Sequence, residues 1–161
     1  MSRRRKTELP FAPIARIIRE VTDLRAGNDA STFLKEKLEE KAEELAKSAA
    51  ELAEYADRIT IRDEDVKFAL SLDKTLQTKI SETEVAAIET TIPQATVERI
   101  MKEVTDIRVA DNGSNQLRIV LEDIAKVIAH DGRKFAEHAG RKTVKEEDIK
   151  RAWEEIAKKI I

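Results

Sequence analysis

Cysteine is absent from the 161 residues, which removes disulfides, thiolate metal sites and a cysteine nucleophile together, and fits a reducing compartment. Glycine occurs four times and proline three times, too little turn chemistry for an all-β chain. Long apolar runs are missing too, and no stretch nears the ~20 apolar residues that span a bilayer. The chain opens on the basic run Met1-Ser2-Arg3-Arg4-Arg5-Lys6, as a secretory leader does. Thr7-Glu8-Leu9-Pro10 and an arginine-studded segment then stand where an apolar run and a cleavage site would be. The expected location is the cytoplasm, with no membrane partner. Nor is there an excess of one charge. Thirty Lys and Arg face 32 Asp and Glu, a net charge of −2 with pI near 5.9, where nucleic-acid-coating domains usually exceed ~9.

Catalytic signatures are equally scarce. Two histidines without cysteine offer little to hold a metal. No glycine-rich phosphate loop, Ser–His–Asp context or nucleotide fingerprint occurs. Paired carboxylates such as Glu39-Glu40 and Glu43-Glu44 read as a solvated helix face. The expectation is a non-enzyme with no cofactor, no metal and no small-molecule substrate.

What is present is helix chemistry. Charged residues make up 39% and apolar residues 41%, enough for a core, in a mixture typical of long helices. The chain also repeats itself. Residues 9–25 read LPFAPIARIIREVTDLR and residues 92–108 read IPQATVERIMKEVTDIR, a constant separation of 83 residues, as from Pro10 to Pro93. Arg58, Thr60 and Asp65 return at the same separation as Arg141, Thr143 and Asp148. An ungapped register of this length signals duplication; two copies are too few for a solenoid.

Each copy spells short, long and short helices. Proline introduces the first, whose stripe is Ile14, Ile17, Ile18 and Val21, or Val97, Ile100, Met101 and Val104. Turn clusters follow at Gly27-Asn28-Asp29 and Asp111-Asn112-Gly113. Long helices are expected over roughly 29–57 and 112–139. Leu34, Leu38, Ala42, Leu45, Ala49 and Leu52 form the apolar row of the first, with Glu36, Glu39, Glu40, Glu43 and Lys47 opposite. In the second, Asp131-Gly132 interrupts a helical row without ending it, at a cost of ~1 kcal/mol relative to alanine. Ile59-Thr60-Ile61 and Lys142-Thr143-Val144 are β-prone. A last helix is expected to bury Val66, Phe68, Ala69 and Leu70, or Ile149, Trp153 and Ile156. Between the copies, Ser81-Glu82-Thr83-Glu84 fits a capping box that introduces a short helix over Val85-Ala86-Ala87-Ile88. A long helix of ~45 Å cannot bury both its ends within one copy, so the two copies are expected to cross as an intramolecular pseudo-dimer.

These residues resemble the archaeal histones. His138-Ala139-Gly140-Arg141-Lys142-Thr143-Val144-Lys145-Glu146-Glu147-Asp148-Ile149 is similar to their second-loop signature, and Leu9-Pro10-Phe11-Ala12-Pro13-Ile14-Ala15-Arg16 to their N-terminus. The resemblance covers nearly the whole chain, as a doublet. It implies an all-α fold of two tandem histone folds joined in an intramolecular handshake pseudo-dimer. The division is a basic tip (1–7), first fold (8–72), linker (73–91) and second fold (92–161). The implied function is sequence-nonspecific binding and wrapping of double-stranded DNA by a nucleoid-associated chromatin protein. The alternative is a histone-fold protein-interaction module of a transcription-type complex, favoured by the acidic total and by Ile59 where the second copy has Lys142.

Carried over residue by residue, Arg25 and Arg108 match a first-loop arginine that enters the minor groove. Thr60 and Thr143 match a second-loop threonine supporting it across the pair, Arg25 with Thr143 and Arg108 with Thr60. Arg16, Arg19, Arg99 and Lys102 occupy basic positions of the first helices, and Lys142 matches a phosphate-binding lysine. Arg58 with Asp65, and Arg141 with Asp148, match an internal clamp. His138 and Asp148 match a contact that joins one handshake pair to another, while Tyr55 and Asp65 depart from it, so self-association is expected through the second fold and to weaken as pH rises past the histidine pKa. Neither half is basic: residues 1–80 hold 16 basic and 16 acidic residues, residues 81–161 hold 14 and 16. DNA binding would rest on where the cations stand, not on their total.

Overall fold

The structure, a computed structural model, describes residues 7–85, 88 and 91–157. Residues 1–6 of the basic tip and parts of the linker and C-terminus lie outside the described residues. The first copy comprises α1 (Phe11–Thr22), β1 (Arg25–Ala26), α2 (Asn28–Tyr55), β2 (Thr60–Ile61) and α3 (Asp63–Leu72). After α4 (Lys74–Glu82) the second repeats it with α5 (Gln94–Val104), β3 (Arg108–Val109), α6 (Asp111–His138), β4 (Thr143–Val144) and α7 (Glu146–Ala157). Pro10 and Pro93 cap α1 and α5 in extended conformation, one position outside the helix, where a missing N–H costs nothing.

The packing is reciprocal. α1 lies on α6 as well as on α2, α5 on α2 as well as on α6, and the last helix of each copy touches the long helix of the other. The expected stripes supply this contact: Ile14, Ile17 and Ile18 meet Leu34, Leu38, Leu117, Leu121 and Ile124 in one buried cluster. Burying a Leu or Ile is worth about 1.5–3 kcal/mol, and the cluster draws on both copies. Neither could close its core alone, which is the pseudo-dimer expected from the length of the central helices.

The strands tie the copies at two points. β1 pairs in parallel with β4, Arg25 opposite Thr143 and Ala26 opposite Val144. β2 pairs in parallel with β3, Thr60 opposite Arg108 and Ile61 opposite Val109. A glycine stands close to each junction, Gly113 in the first turn of α6 and Gly27 just before α2. A Cβ on Gly113 would lie 2.7 Å from the Ile61 carbonyl oxygen, and one on Gly27 would lie 2.9 Å from that of Val144.

Three sequence expectations are corrected. The linker helix is α4, which precedes the segment expected: Asp73 accepts from the Leu76 N–H at 3.2 Å, and Ser81 and Glu82 form the last turn, not the first. Leu76 is buried, and Lys79 meets Asp131 of α6 at 2.9 Å, so tertiary contacts overrode the capping-box signal. Of the segment Val85–Ile88, Ala86 and Ala87 lie outside the described residues. Phe68, expected in the core, is 55% exposed, because α3 turns Val66, Ala69 and Leu70 inward instead. Glu39, assigned to a solvated face, is 3% exposed, for the reason given below. α6 runs unbroken through Asp131-Gly132, as expected.

Candidate nucleic-acid interface

The two strand junctions assemble most of the residues singled out from the sequence. At the first, the Arg25 N–H donates to the Lys142 carbonyl at 3.0 Å and the Gly27 N–H to Val144 at 2.9 Å. This brings Arg25, Lys142 and Thr143 together from opposite copies. At the second, the Arg108 N–H donates to Ile59 and the Ala110 N–H to Ile61, each at 2.9 Å, which brings Arg108 beside Thr60. Arg25, Arg108 and Lys142 are exposed and the two threonines half-buried. The junctions differ where the sequence does: Ile59, 67% exposed, stands where the other has Lys142.

Arg16 and Arg19 lie exposed on α1, three residues apart and so on one face, as do Arg99 and Lys102 on α5. Lys102 pairs with Glu98 at 3.7 Å. α1 reaches its junction through Asp23, held at a left-handed φ of 60°, which an aspartate tolerates better than most residues. The first turns of α1 and α5 carry no side-chain cap, leaving backbone N–H donors of the kind that bind phosphate oxygens.

Behind each junction stands a clamp. Arg58 holds Asp65 with two hydrogen bonds of 2.7 and 2.6 Å, and Arg141 holds Asp148 at 2.6 and 2.9 Å. Each carboxylate also accepts from the N–H that opens its helix, Arg62 or Lys145, at 2.8 Å. Each guanidinium reaches back to the strand carbonyl of Thr60 or Thr143 at 3.3 Å. One side chain therefore fixes the turn between long helix and strand. Burial pushes the Asp65 carboxyl up, but the hydrogen bonds from Arg58 and Arg62 and the charges behind them outweigh it and hold it below the usual aspartate value. Their aspartates raise Arg58 and Arg141 above the ordinary arginine value.

Sequence reasoning missed a second matched pair. Glu39 accepts the Leu9 N–H at 2.6 Å and meets Lys35 at 3.2 Å. Eighty-three residues on, Glu122 accepts the Ile92 N–H at 2.7 Å and meets Arg118 at 3.1 Å. These carboxylates pin the chain just before α1 and α5, so each first helix enters in a fixed direction. The recurrence of Lys-x-x-x-Glu and Arg-x-x-x-Glu at the repeat separation was the available signal. Asp29, read as a turn residue, instead crosses the junction and accepts the Glu146 N–H at the start of α7. Two further exposed cations, Arg62 and Lys145, follow the strands of the second loops at equivalent positions.

The proposed assembly residues divide. His138 is exposed and Tyr55 is 93% exposed, whereas Asp65 and Asp148 are 3% and 1% exposed and engaged within their own clamps. Among the described residues no helix is long and apolar enough to cross a membrane.

Comparison with known proteins agrees with this geometry. The family described as histone-like transcription factor (CBF/NF-Y) and archaeal histone matches twice, over residues 7–70 and 90–153. The chain is 48% identical over 63 residues to the archaeal histone HAN1 of Thermococcus zilligii and 43% identical over 63 residues to the probable archaeal histone 3 of Methanocaldococcus jannaschii. Each match covers 39% of this chain and 94% of the relative, about one repeat. The crystal structure of the histone from Methanopyrus kandleri superposes with a TM-score of 0.72 at 24% identity, covering 90% of this chain and 93% of that one, a likeness of fold. With its two matched segments and their reciprocal packing, the chain belongs to the histone-like transcription factor and archaeal histone family, as two histone folds in one polypeptide.

Proposed function

We propose that the chain binds double-stranded DNA without sequence preference and wraps it, as a chromatin protein associated with the nucleoid. The observation that carries this reading is the pairing at the junctions: an exposed arginine opposite a threonine from the other fold, once at each end of the handshake. Arginine in an inward-facing minor groove, flanked by hydroxyls, backbone N–H groups and helix N-termini on phosphates, binds through backbone and deformability and reads no sequence. Arg16, Arg19, Arg99, Lys102 and Lys142 add phosphate contacts in this reading. Arg62 and Lys145 join them, since they stand exposed just past the same strands. The clamps Arg58–Asp65 and Arg141–Asp148 hold the loops but do not touch DNA. Self-association of doublets belongs to the same proposal.

Replacing Arg25 and Arg108 together with alanine tests it. Both are exposed, so the fold is expected to persist. Losing two contacts of about 1 kcal/mol each weakens binding to every duplex sequence roughly thirtyfold. Unchanged affinity favours the second reading, a protein-interaction module, for which exposed Ile59 and the net charge of −2 speak.

A further inference from the structure

The cations proposed for DNA divide into two halves of unequal charge. α1 leads into the first junction, so Arg16 and Arg19 share one half with Arg25 and with Lys142 and Lys145 of the second fold, all exposed. α5 leads into the second junction, where Arg99, Lys102, Arg108 and Arg62 are exposed. Two differences weaken this second half. Ile59, 67% exposed, stands where the first junction has Lys142. Its carbonyl accepts the Arg108 N–H at 2.9 Å, so an apolar residue is built into the strand pairing itself. Lys102 lies 3.7 Å from Glu98, whereas the first fold has Ala15 at that position and offers Arg19 no such carboxylate. The acids do not restore the balance, because Asp23, Asp29, Glu146 and Glu147 beside the first junction are matched by Asp106, Asp111, Asp63 and Glu64 beside the second. The sequence before each first helix leans the same way, with Arg3, Arg4, Arg5 and Lys6 ahead of α1 and Glu82, Glu84 and Glu89 ahead of α5.

We infer, resting on the DNA reading above, that the two halves grip the duplex unequally. The half formed by α1 and the Arg25–Thr143 junction anchors DNA, and the half formed by α5 and the Arg108–Thr60 junction releases it first. The loops themselves are held alike, since the Arg58–Asp65 and Arg141–Asp148 clamps make the same hydrogen bonds. The inequality therefore lies in charge and not in loop shape. Affinity falls with salt at about −0.9 per phosphate neutralised, so a fourfold rise in salt costs each contact about 3.5-fold. The contact that Ile59 forgoes separates the halves by that factor, and Glu98 beside Lys102 widens the gap. Two identical folds related by a two-fold axis would hold DNA equally at both ends. Joining two different folds in one chain removes that equality, so bound DNA peels from one end while the other stays engaged.

The absence of cysteine lets a single introduced one carry a DNA-cleaving iron chelate. Asn28 and Asn112 are exposed and uncharged, and stand at the starts of α2 and α6, one beside each junction. The whole chain carrying labelled Asn28→Cys or Asn112→Cys is bound to random-sequence duplex DNA, and cleavage is followed as salt rises. At low salt both chains cut. Cutting from Asn112→Cys is expected to fade at lower salt than cutting from Asn28→Cys, while the complex still persists. Adding Ile59→Lys brings the two curves together, raises affinity about fivefold and steepens the salt slope by about 0.9. Lys142→Ile lowers affinity and flattens the slope by similar amounts, with circular dichroism unchanged in both. Curves that fade together in the parent, cutting lost first from Asn28→Cys, or an Ile59→Lys chain with the parent's affinity and slope overturns the polarity and leaves DNA binding intact. No binding and no cutting at any salt defeats the DNA reading itself, and the polarity with it.

Discussion

Asp65 fixes the turn between α2 and α3. It is 3% exposed, takes both nitrogens of Arg58 and accepts the first N–H of α3. Because its folded pKa lies below the usual value, its stabilising effect is complete above the unfolded value of about 3.9 and is lost as pH falls through the folded one. Asp65→Asn is expected to lower the thermal midpoint by several degrees at neutral pH. The gap to the parent closes at acid pH, below the usual aspartate value, as the parent's own carboxyl takes up its proton. A gap of the same size at both pH values contradicts the assignment. This clamp was legible because it recurs at the repeat separation within a familiar motif. Glu39 recurs too, yet it was assigned to water with its glutamate neighbours. What sets it apart from Glu40 is the buried contact with the Leu9 N–H, thirty residues away in sequence.

At the scale of elements, the junctions between strand and long helix bring backbone close to backbone. Gly113→Ala adds a Cβ 2.7 Å from a backbone oxygen that cannot move without breaking the β2–β3 pairing. It is expected to lower stability even though alanine is the better helix former by about 1 kcal/mol. Gly132→Ala is the control. Its nearest neighbour is the Ile149 Cδ1 at 3.0 Å, the tip of a flexible side chain that can give way. That change is expected to leave the melting temperature near the parent's; a Gly113→Ala protein as stable as the parent contradicts the close-approach account. Helical periodicity marked the six repeated helices because their stripes face a shared core. It could not place α4, whose local cap at Asp73 is reinforced by the burial of Leu76 and by Lys79 on Asp131, tertiary contacts that a periodicity does not show. Phe68 was misassigned for the related reason that Val66, Ala69 and Leu70 already fill the inward side of α3, and the sequence alone does not say which apolar residue of a short helix is left outside.

For the whole molecule, duplication explains why a chain with almost no net charge can carry a charged function. The reciprocal core forces the two folds together, and this brings Arg25 to Thr143 and Arg108 to Thr60 whatever the overall balance of acids and bases. The handshake was legible in the 83-residue register. The difference between the folds was only half legible: Ile59 for Lys142 and Tyr55 for His138 are plain in the sequence, while the exposure of Phe68 and Leu72 needed the structure. The central claim is that placed cations, not total charge, bind DNA. The direct measurement is the affinity of the whole chain for random-sequence duplex DNA as a function of salt. The account expects the logarithm of affinity to fall with the logarithm of salt at about −0.9 per phosphate neutralised, hence a slope several times steeper than −1. In the Arg25→Ala, Arg108→Ala protein the slope should be shallower. A slope near zero in the parent chain contradicts DNA wrapping outright.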